Sequence, residues 1–202
     1  MDTKTCFLFD LDGTVTREEV LPIIASELGL ENEMRLLTSL TMAGLIPFED
    51  SFRLRYAILR HASLPAIHRA VRDVRLDAHV LAYMRTNAES CFLVTGNLDR
   101  WIEPLIAQIP CRVFCSTSRG GSQDTVGELD VVLRKNDAAL ELKQRFDRVV
   151  AIGDGFNDLP MFEVADVGIV NCALHSAPDE LISSADYVVF SGESLCRLLN
   201  TL

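Results

Sequence analysis

Residues 6–14 read Cys-Phe-Leu-Phe-Asp-Leu-Asp-Gly-Thr, an apolar run of strand length that ends in two carboxylates. Side chains alternate along a strand, so Asp10 and Asp12 are expected to point the same way while Leu11 packs on the opposite face. Gly13 then lets the backbone turn away. Two carboxylates in one small space are costly unless a cation lies between them or one of them is protonated. The stretch predicts a buried strand with paired carboxylates at its end, although an acidic turn alone would also explain it.

Short apolar runs of the same kind recur along the chain, mostly separated by stretches with helical spacing, at 91–94, 112–115, 149–152, 167–170 and 187–190. This alternation predicts an α/β fold: a doubly wound, mostly parallel sheet of Rossmann-like type, covered by helices on both faces. In such sheets ligands bind beyond the carboxyl ends of the strands. The end of each strand is therefore where functional side chains are expected.

The alternation has one large gap, between residues 16 and 88, which contains only helical segments at 17–29, 31–43, 48–61, 65–75 and 78–88. The gap predicts a helical bundle inserted after the first strand, with a core of residues 1–15 and 77–202 and a cap of residues 16–76. The cap is expected to roof the ligand site. Residues 117–130 are rich in Ser, Gly and Asp, and predict a turn or a short hairpin excursion from the sheet, of unassigned role.

Composition narrows the class of protein. The chain has 202 residues, 19 Lys and Arg against 29 Asp and Glu, and a net charge of −10, which argues against nucleic acid or an anionic membrane as partner. Apolar residues make up 49%, which excludes intrinsic disorder. Six scattered cysteines, mostly within apolar runs, predict buried free thiols in a reducing compartment. With no signal-peptide pattern and no apolar window near the ~18 residues of a membrane span, we expect a cytoplasmic protein.

A second acidic cluster follows the strand at 148–152, where the chain continues Gly153-Asp154-Gly155-Phe156-Asn157-Asp158. Strand ends of one parallel sheet share an edge, so these carboxylates are expected near Asp10 and Asp12. Together they offer the hard oxygen ligands that Mg²⁺ prefers. The alternative is a turn that merely caps the next helix. The two clusters together favour a magnesium site.

Two weaker signals point to the same edge. Thr95-Gly96-Asn97 follows an apolar strand and precedes a helix that starts near Leu98, an arrangement typical of phosphate cradles and equally of ordinary helix caps. Lys135 precedes a helix over 136–146 that rises about 16 Å. The strand at 148–152 then returns about 17 Å. Lys135 is therefore expected beside Asp154, where its ammonium would neutralise a phosphate oxygen or a carboxylate.

These four pieces, in this order, resemble the haloacid dehalogenase superfamily of phosphohydrolases and phosphotransferases. The resemblance spans nearly the whole chain and implies a Mg²⁺-dependent mechanism with an aspartyl-phosphate intermediate. It implies Asp10 as nucleophile and Asp12 as general acid and base. Dehalogenases of this superfamily typically lack the second Asp, so a dehalogenase is disfavoured. The remaining roles that the resemblance implies are Mg²⁺ binding by Asp10, Asp12, Asp154 and Asp158, phosphate binding by Thr95, Gly96 and Lys135, and support of Lys135 or the substrate by Asn157.

The position of the cap resembles that of phosphoserine phosphatases. In that family an acidic residue nine beyond the nucleophile binds the substrate amine, and Glu19 stands at that position. A Met, a Phe six later and an Arg seven after that line the cap, and the Arg takes the carboxylate; Met42, Phe48 and Arg55 match. Each has an alternative: Thr16 to Glu19 also forms a capping-box pattern, Met42 and Phe48 suit a bundle core, and Arg55 suits a solvated helix face.

One departure concerns the substrate pocket. Phosphoserine phosphatases usually carry Ser-Gly-Gly where this chain has Thr95-Gly96-Asn97, so Asn97 is expected to reshape the pocket floor beside the substrate. We expect a phosphomonoesterase for a small phosphorylated amino acid, O-phosphoserine first, working as a monomer or homodimer. The alternatives are a phosphatase or phosphotransferase for phosphohomoserine, phosphoethanolamine or phosphocholine, and a non-catalytic binding module.

Overall fold

The computed structural model describes residues 4–42 and 45–202, without the side chain of Met42. In chain order, the strands are β1 (Thr5–Phe9), β2 (Cys91–Leu98), β3 (Arg112–Arg119), β4 (Glu128–Val131), β5 (Arg148–Gly153), β6 (Val167–Asn171) and β7 (Tyr187–Val189). They form one sheet in the order β4-β3-β2-β1-β5-β6-β7. The pairs are parallel except β3–β4. The predicted doubly wound, mostly parallel sheet is confirmed.

The helices cover both faces of this sheet. They are α1 (Val20–Leu28), α2 (Glu31–Met42), α3 (Phe48–Leu59), α4 (Leu64–Arg72), α5 (Ala78–Thr86), α6 (Asp99–Ile106), α7 (Lys135–Lys143), α8 (Leu159–Phe162), α9 (Asp179–Ser183) and α10 (Gly192–Leu199). Alternation along β1 explains the two layers, because Phe7 and Phe9 join one apolar core and Cys6 and Leu8 join the other. Burial of both faces accounts for the continuous apolar run that the sequence shows.

β1 lies at the centre of the sheet. Phe9 is in register with Leu93 of β2 on one side and with Ile152 of β5 on the other. The residues that follow these three strands therefore emerge side by side at one edge. This edge is called the catalytic edge below.

Helices α1 to α5 lie between β1 and β2 in the chain. The first four, α1 to α4, are joined to the sheet by two short segments, residues 16–18 and 75–76, which are called the neck below. Arg17 donates its backbone N–H to the carbonyl of Arg75, and Thr16 forms an antiparallel bridge with Leu76. The Glu18 carboxylate accepts hydrogen bonds from the backbone N–H and the Nε atom of Arg75, at 2.8 and 2.7 Å. The chain segment that enters α1 to α4 and the segment that leaves them are thus held together.

The 117–130 segment forms the β3–β4 hairpin, as the sequence pattern suggested. The hairpin contacts the helical layer directly. The Tyr56 hydroxyl of α3 donates to the Gly127 carbonyl at 2.7 Å and accepts from the Leu129 N–H at 3.0 Å. The first amide of α4, Leu64 N–H, donates to the Asp124 carbonyl. The hairpin therefore fastens α3 and α4 to the edge of the sheet.

The six cysteines are free thiols, and Cys6 and Cys91 are buried. Burial raises the pKa of Cys6 to about 12, so this thiol is unreactive at neutral pH.

Throughout residues 4–42 and 45–202, each helix is too short or too polar to traverse a lipid bilayer.

Candidate active site

A buried ion-pair cluster lies at the catalytic edge. Lys135 begins α7, one residue earlier than predicted, and its Nζ lies 2.5 Å from Asp10 Oδ1 and 2.5 Å from Asp158 Oδ1. Each of these three residues is at most 5% exposed. Because α7 leads away from the catalytic edge and β5 runs back to it, parallel to β1, the chain returns to the edge from which it left. The strand ends and the lysine therefore meet as the length argument predicted.

The charges of this cluster do not balance. Burial raises the pKa of Asp10 well above its usual range, and Asp158 adds to that rise against the opposing effect of Lys135. Burial favours the neutral amine of Lys135, but Asp10 and Asp158 outweigh it, so the pKa of Lys135 is also raised. The ammonium therefore stays charged, and it compensates only part of the surrounding carboxylate charge. The cluster calls for a further cation.

Asp154 provides the place for such a cation. One carboxylate oxygen from each of Asp10, Asp154 and Asp158 lies within 4.8 Å of the others. Asp154 Oδ2 is buried and accepts no well-aligned hydrogen bond from the part of the chain that the structure describes. Gly13, with φ +67°, allows the close approach of the Asp154 carboxylate, since a Cβ there would lie 1.7 Å from Asp154 Oδ2. Clustered carboxylate oxygens are hard ligands of the kind that Mg²⁺ prefers.

Asp12 is held by both of its oxygens. Its Oδ1 accepts from the backbone N–H of Val20, the first residue of α1, at 2.7 Å. Its Oδ2 accepts from Asn97 Nδ2 at 2.5 Å. Burial raises the pKa of Asp12, and these two hydrogen bonds reduce that rise without cancelling it. Asp12 therefore has a fixed orientation and an increased tendency to carry a proton, as a general acid requires.

Asn97 also orients Thr95. Thr95 is 1% exposed, and its Oγ1 accepts from the backbone N–H and the Nδ2 of Asn97, at 3.2 and 3.1 Å. Since both contacts use lone pairs of the hydroxyl, its proton is left to donate elsewhere. The residue that departs from the pattern of phosphoserine phosphatases thus links Thr95 to Asp12.

Phe48 of α3 lies on Gly96 of β2. A Cβ at Gly96 would approach Phe48 Cζ to 2.7 Å, so only glycine allows this contact. The ring also lies 6.2 Å from that of Phe52, which continues the contact to Trp101 at 5.7 Å. The structure thereby brings a predicted substrate residue of the cap onto a predicted phosphate residue of the core.

Glu19 meets a residue that the sequence analysis did not identify, His175. His175 Nε2 lies 3.0 Å from Asp154 Oδ2 and 3.5 Å from Glu19 Oε1. Burial and the carboxylates of Asp12 and Asp154 raise the pKa of Glu19 to about 7, against the effect of His175. The contact with Asp154 is the main reason that the pKa of His175 rises to about 9. The only sequence signal for His175 is its place in the segment after β6, just beyond the catalytic edge.

Arg55 is buried within the cap, 7% exposed, so the alternative of a solvated helix face is wrong. Its Nη1 donates to Ser51 Oγ at 2.6 Å and its Nη2 donates to Thr38 Oγ1 at 3.0 Å. Its Nε is buried without a hydrogen-bond partner among the described residues. Within residues 4–42 and 45–202, its side-chain hydrogen bonds go to Ser51 and Thr38 and not to residues of the catalytic edge.

Three other positions complete the account. Asn157 is exposed and folds back toward Gly155, and Lys135 receives its support from Asp158 instead. The side chain of Met42 lies outside the described residues. Thr14 has a buried hydroxyl without a hydrogen-bond partner in the described ranges, which places a second uncommitted polar group in the first strand-end motif. The position of Thr14 directly after Asp12 and Gly13 is the sequence signal that could have identified it.

Comparisons with known proteins agree with this geometry. A family model described as haloacid dehalogenase-like hydrolase matches residues 7–163, and a second with the same description matches residues 136–194. The chain is 26% identical to phosphoserine phosphatase of Lactococcus lactis over 86% of both chains. It is 24% identical to phosphoserine phosphatase of Methanocaldococcus jannaschii over 84% of this chain and 86% of that one.

Solved structures share the fold. A phospho-aspartyl intermediate analogue of phosphoserine phosphatase matches with a TM-score of 0.80 at 22% identity, over 98% of this chain and 99% of that one. Phosphoserine phosphatase from T. onnurineus matches with a TM-score of 0.78 at 22% identity, over 100% and 98% of the two chains. The sheet and the inserted helices therefore have the architecture of these proteins.

Proposed function

The chain belongs to the haloacid dehalogenase-like hydrolases, and from that premise we propose that it is a Mg²⁺-dependent phosphatase that hydrolyses O-phosphoserine to serine and phosphate. The observation that carries the proposal is the buried group of Asp10, Asp154 and Asp158 around Lys135 at the catalytic edge. The names of the relatives from Lactococcus lactis and Methanocaldococcus jannaschii support the choice of substrate.

The first half of the proposed reaction transfers the phosphoryl group to the enzyme. An Asp10 carboxylate oxygen attacks phosphorus in line, the bond to the seryl oxygen breaks, and an aspartyl phosphate forms. Lys135, 2.5 Å from Asp10, screens the negative charge that accumulates there. Thr95 donates its free proton to a phosphate oxygen, with the Gly96 backbone next to it in the chain.

Asp12 moves the proton in both halves. As the seryl oxygen leaves, the Asp12 carboxyl donates its proton to it. The resulting carboxylate then takes a proton from water, whose oxygen attacks phosphorus and releases Asp10 and inorganic phosphate. The hydrogen bonds from Val20 and Asn97 keep this carboxyl in one orientation for both transfers.

Magnesium would be held by Asp10 and Asp154, with Asp158 and Asp12 close by. When bound, Mg²⁺ supplies charge neutralisation that lets an anionic carboxylate approach a phosphate dianion. The carboxylate oxygens of Asp10, Asp154 and Asp158, which lie within 4.8 Å of one another, support this assignment.

The amino-acid end of the substrate is proposed to lie under the cap. Glu19 takes the ammonium group, Arg55 takes the carboxylate, and Phe48 excludes water beside Gly96. A guanidinium is suited to a carboxylate because it donates two parallel hydrogen bonds.

Phosphate release from O-phosphoserine, phosphoethanolamine and phosphocholine tests the proposal, with Mg²⁺ and with EDTA. We expect O-phosphoserine to be the best substrate and EDTA to abolish turnover. Asp10→Asn should be inactive, while the control Asp137→Asn, an exposed residue of α7, should match the wild type. Activity of Asp10→Asn would overturn the mechanism, and a wild type that prefers phosphocholine would overturn the substrate.

A further inference from the structure

The guanidinium of Arg55 donates to two neutral hydroxyl oxygens, those of Thr38 and Ser51. Thr38 Oγ1 donates to the Met34 carbonyl at 3.0 Å, so only its lone pairs face Arg55 Nη2. Thr41 Oγ1 lies 2.7 Å from the Leu37 carbonyl, which can only accept, so the Thr41 proton goes there. Ser51 Oγ accepts from Arg55 Nη1 at 2.6 Å and lies 2.6 Å from Thr41 Oγ1.

These contacts orient the guanidinium without neutralising it. No carboxylate in residues 4–42 or 45–202 forms an ion pair with Arg55. Burial, with no acid to oppose it, lowers the pKa of Arg55 from its usual value. By contrast Arg53, two residues earlier, pairs with Glu49 at 2.9 Å on the exposed side of α3. A carboxylate at position 51 would pair with Arg55 and neutralise the positive charge that attracts a ligand carboxylate.

We infer that Ser51 and Thr38 are positioning residues that hold Arg55 in place through neutral acceptors and so keep its charge for the carboxylate of the substrate. The inference rests on the proposed function, because it takes Arg55 as the carboxylate ligand. Ser51 is fully buried and fixed by the Thr41 hydroxyl, whereas Thr38 is exposed and lies on α2. The two acceptors therefore hold Arg55 between two helices of the cap.

The test is the ratio of kcat/KM for O-phosphoserine to kcat/KM for phosphoethanolamine, which lacks the carboxylate. Thr38→Val keeps the shape of the side chain and removes the acceptor, whereas Thr38→Ser keeps the hydroxyl. We expect Thr38→Val to lower the ratio about tenfold through a higher KM for O-phosphoserine, and Thr38→Ser to leave it within about twofold. Ser51→Ala should lower the ratio at least as much. Ser39→Ala, on the exposed side of α2, is the matched control.

The outcomes separate this inference from the proposed function. A ratio that falls in Arg55→Ala but stays at the wild-type value in both Thr38→Val and Ser51→Ala overturns the positioning role alone. Equal loss in Thr38→Val and Thr38→Ser also overturns it, because the hydroxyl would then not matter. A wild type without activity on O-phosphoserine overturns the proposed function and this inference together. A general loss of packing would change kcat/KM for both substrates equally and leave the ratio unchanged, which would also overturn the inference.

Discussion

The catalytic edge and the cap contain opposite charge imbalances. At the edge, Lys135 faces the carboxylates of Asp10 and Asp158, with Asp154 close by, so negative charge is in excess. In the cap, Arg55 is surrounded by hydroxyl groups, so positive charge is in excess. Burial of uncompensated charge is unfavourable, and a free energy cost of this kind is recovered when a ligand of opposite charge binds. The comparison assigns a cation to one region and an anion to the other.

The largest expected difference is between a variant that removes the buried charge of Lys135 and one that removes the buried charge of Arg55. Lys135→Met should destabilise the protein by about 3–5 kcal/mol, because Asp10 and Asp158 lose the ammonium that pairs with both of them. The melting temperature should fall by roughly 10 °C. Arg55→Met should leave the melting temperature unchanged or raise it, since no carboxylate loses a partner, while it raises the KM for O-phosphoserine. Calorimetric melting of both variants without ligand measures the difference, and equal destabilisation would contradict the comparison.

Bound Mg²⁺ should stabilise the protein through the residues of the catalytic edge and not through those of the cap. At a concentration one hundred times its dissociation constant, an ion that binds only the native protein adds about 2.7 kcal/mol. Wild-type protein should therefore melt roughly 5–10 °C higher with saturating Mg²⁺ than with EDTA. Asp154→Asn should lose this shift, and Arg55→Met should retain it. A shift that persists in Asp154→Asn would place the ion elsewhere.

The neck between the two regions should give the smallest effect. Burial raises the pKa of Glu18, but its hydrogen bonds from Arg75 outweigh burial and lower the pKa below its usual value. A lowered pKa in the native state stabilises the protein above the pKa of the unfolded chain, and this contribution is lost as the pH falls through the native pKa. Glu18→Gln should therefore lower the melting temperature by about 1–3 °C at pH 7, and the difference should shrink as the pH falls through the native pKa of Glu18. Glu31→Gln, exposed on α2, is the control.

The sheet and the catalytic edge could largely be predicted from the sequence. Period-two burial along β1 fixes which side chains share a face, and parallel strands fix which ends meet, so Asp10 and Asp154 follow from local patterns. The position of Lys135 was predicted from the nearly equal lengths of the expected helix at 136–146 and the expected strand at 148–152, about 16 and 17 Å. His175 could not be predicted, because its contact with Asp154 depends on an irregular segment after β6 that has no periodicity.

In the cap, residue type alone was a poor guide. Burial along α3 falls at Ser51, Phe52, Arg55, Tyr56 and Leu59, a helical period that marks Arg55 as an inward residue. The capping-box alternative for Glu19 was wrong, since α1 begins at Val20 and the Glu19 side chain accepts no capping hydrogen bond. Residues 16–18 are instead engaged in the neck, and Asp12 takes the amide of Val20. Those long-range contacts are invisible to local sequence patterns.

The central position of β1 also affects how the molecule folds. Phe7 pairs with Cys91 and with Val150, both far along the chain, so the strand that carries Asp10 closes two long loops. Contacts between distant residues form slowly, because the entropy of loop closure must be lost first. During synthesis from the N-terminus, β1 therefore keeps an unpaired edge until β5 has been made. The buried cluster of like charges is consequently assembled only when Lys135 is already available to join it.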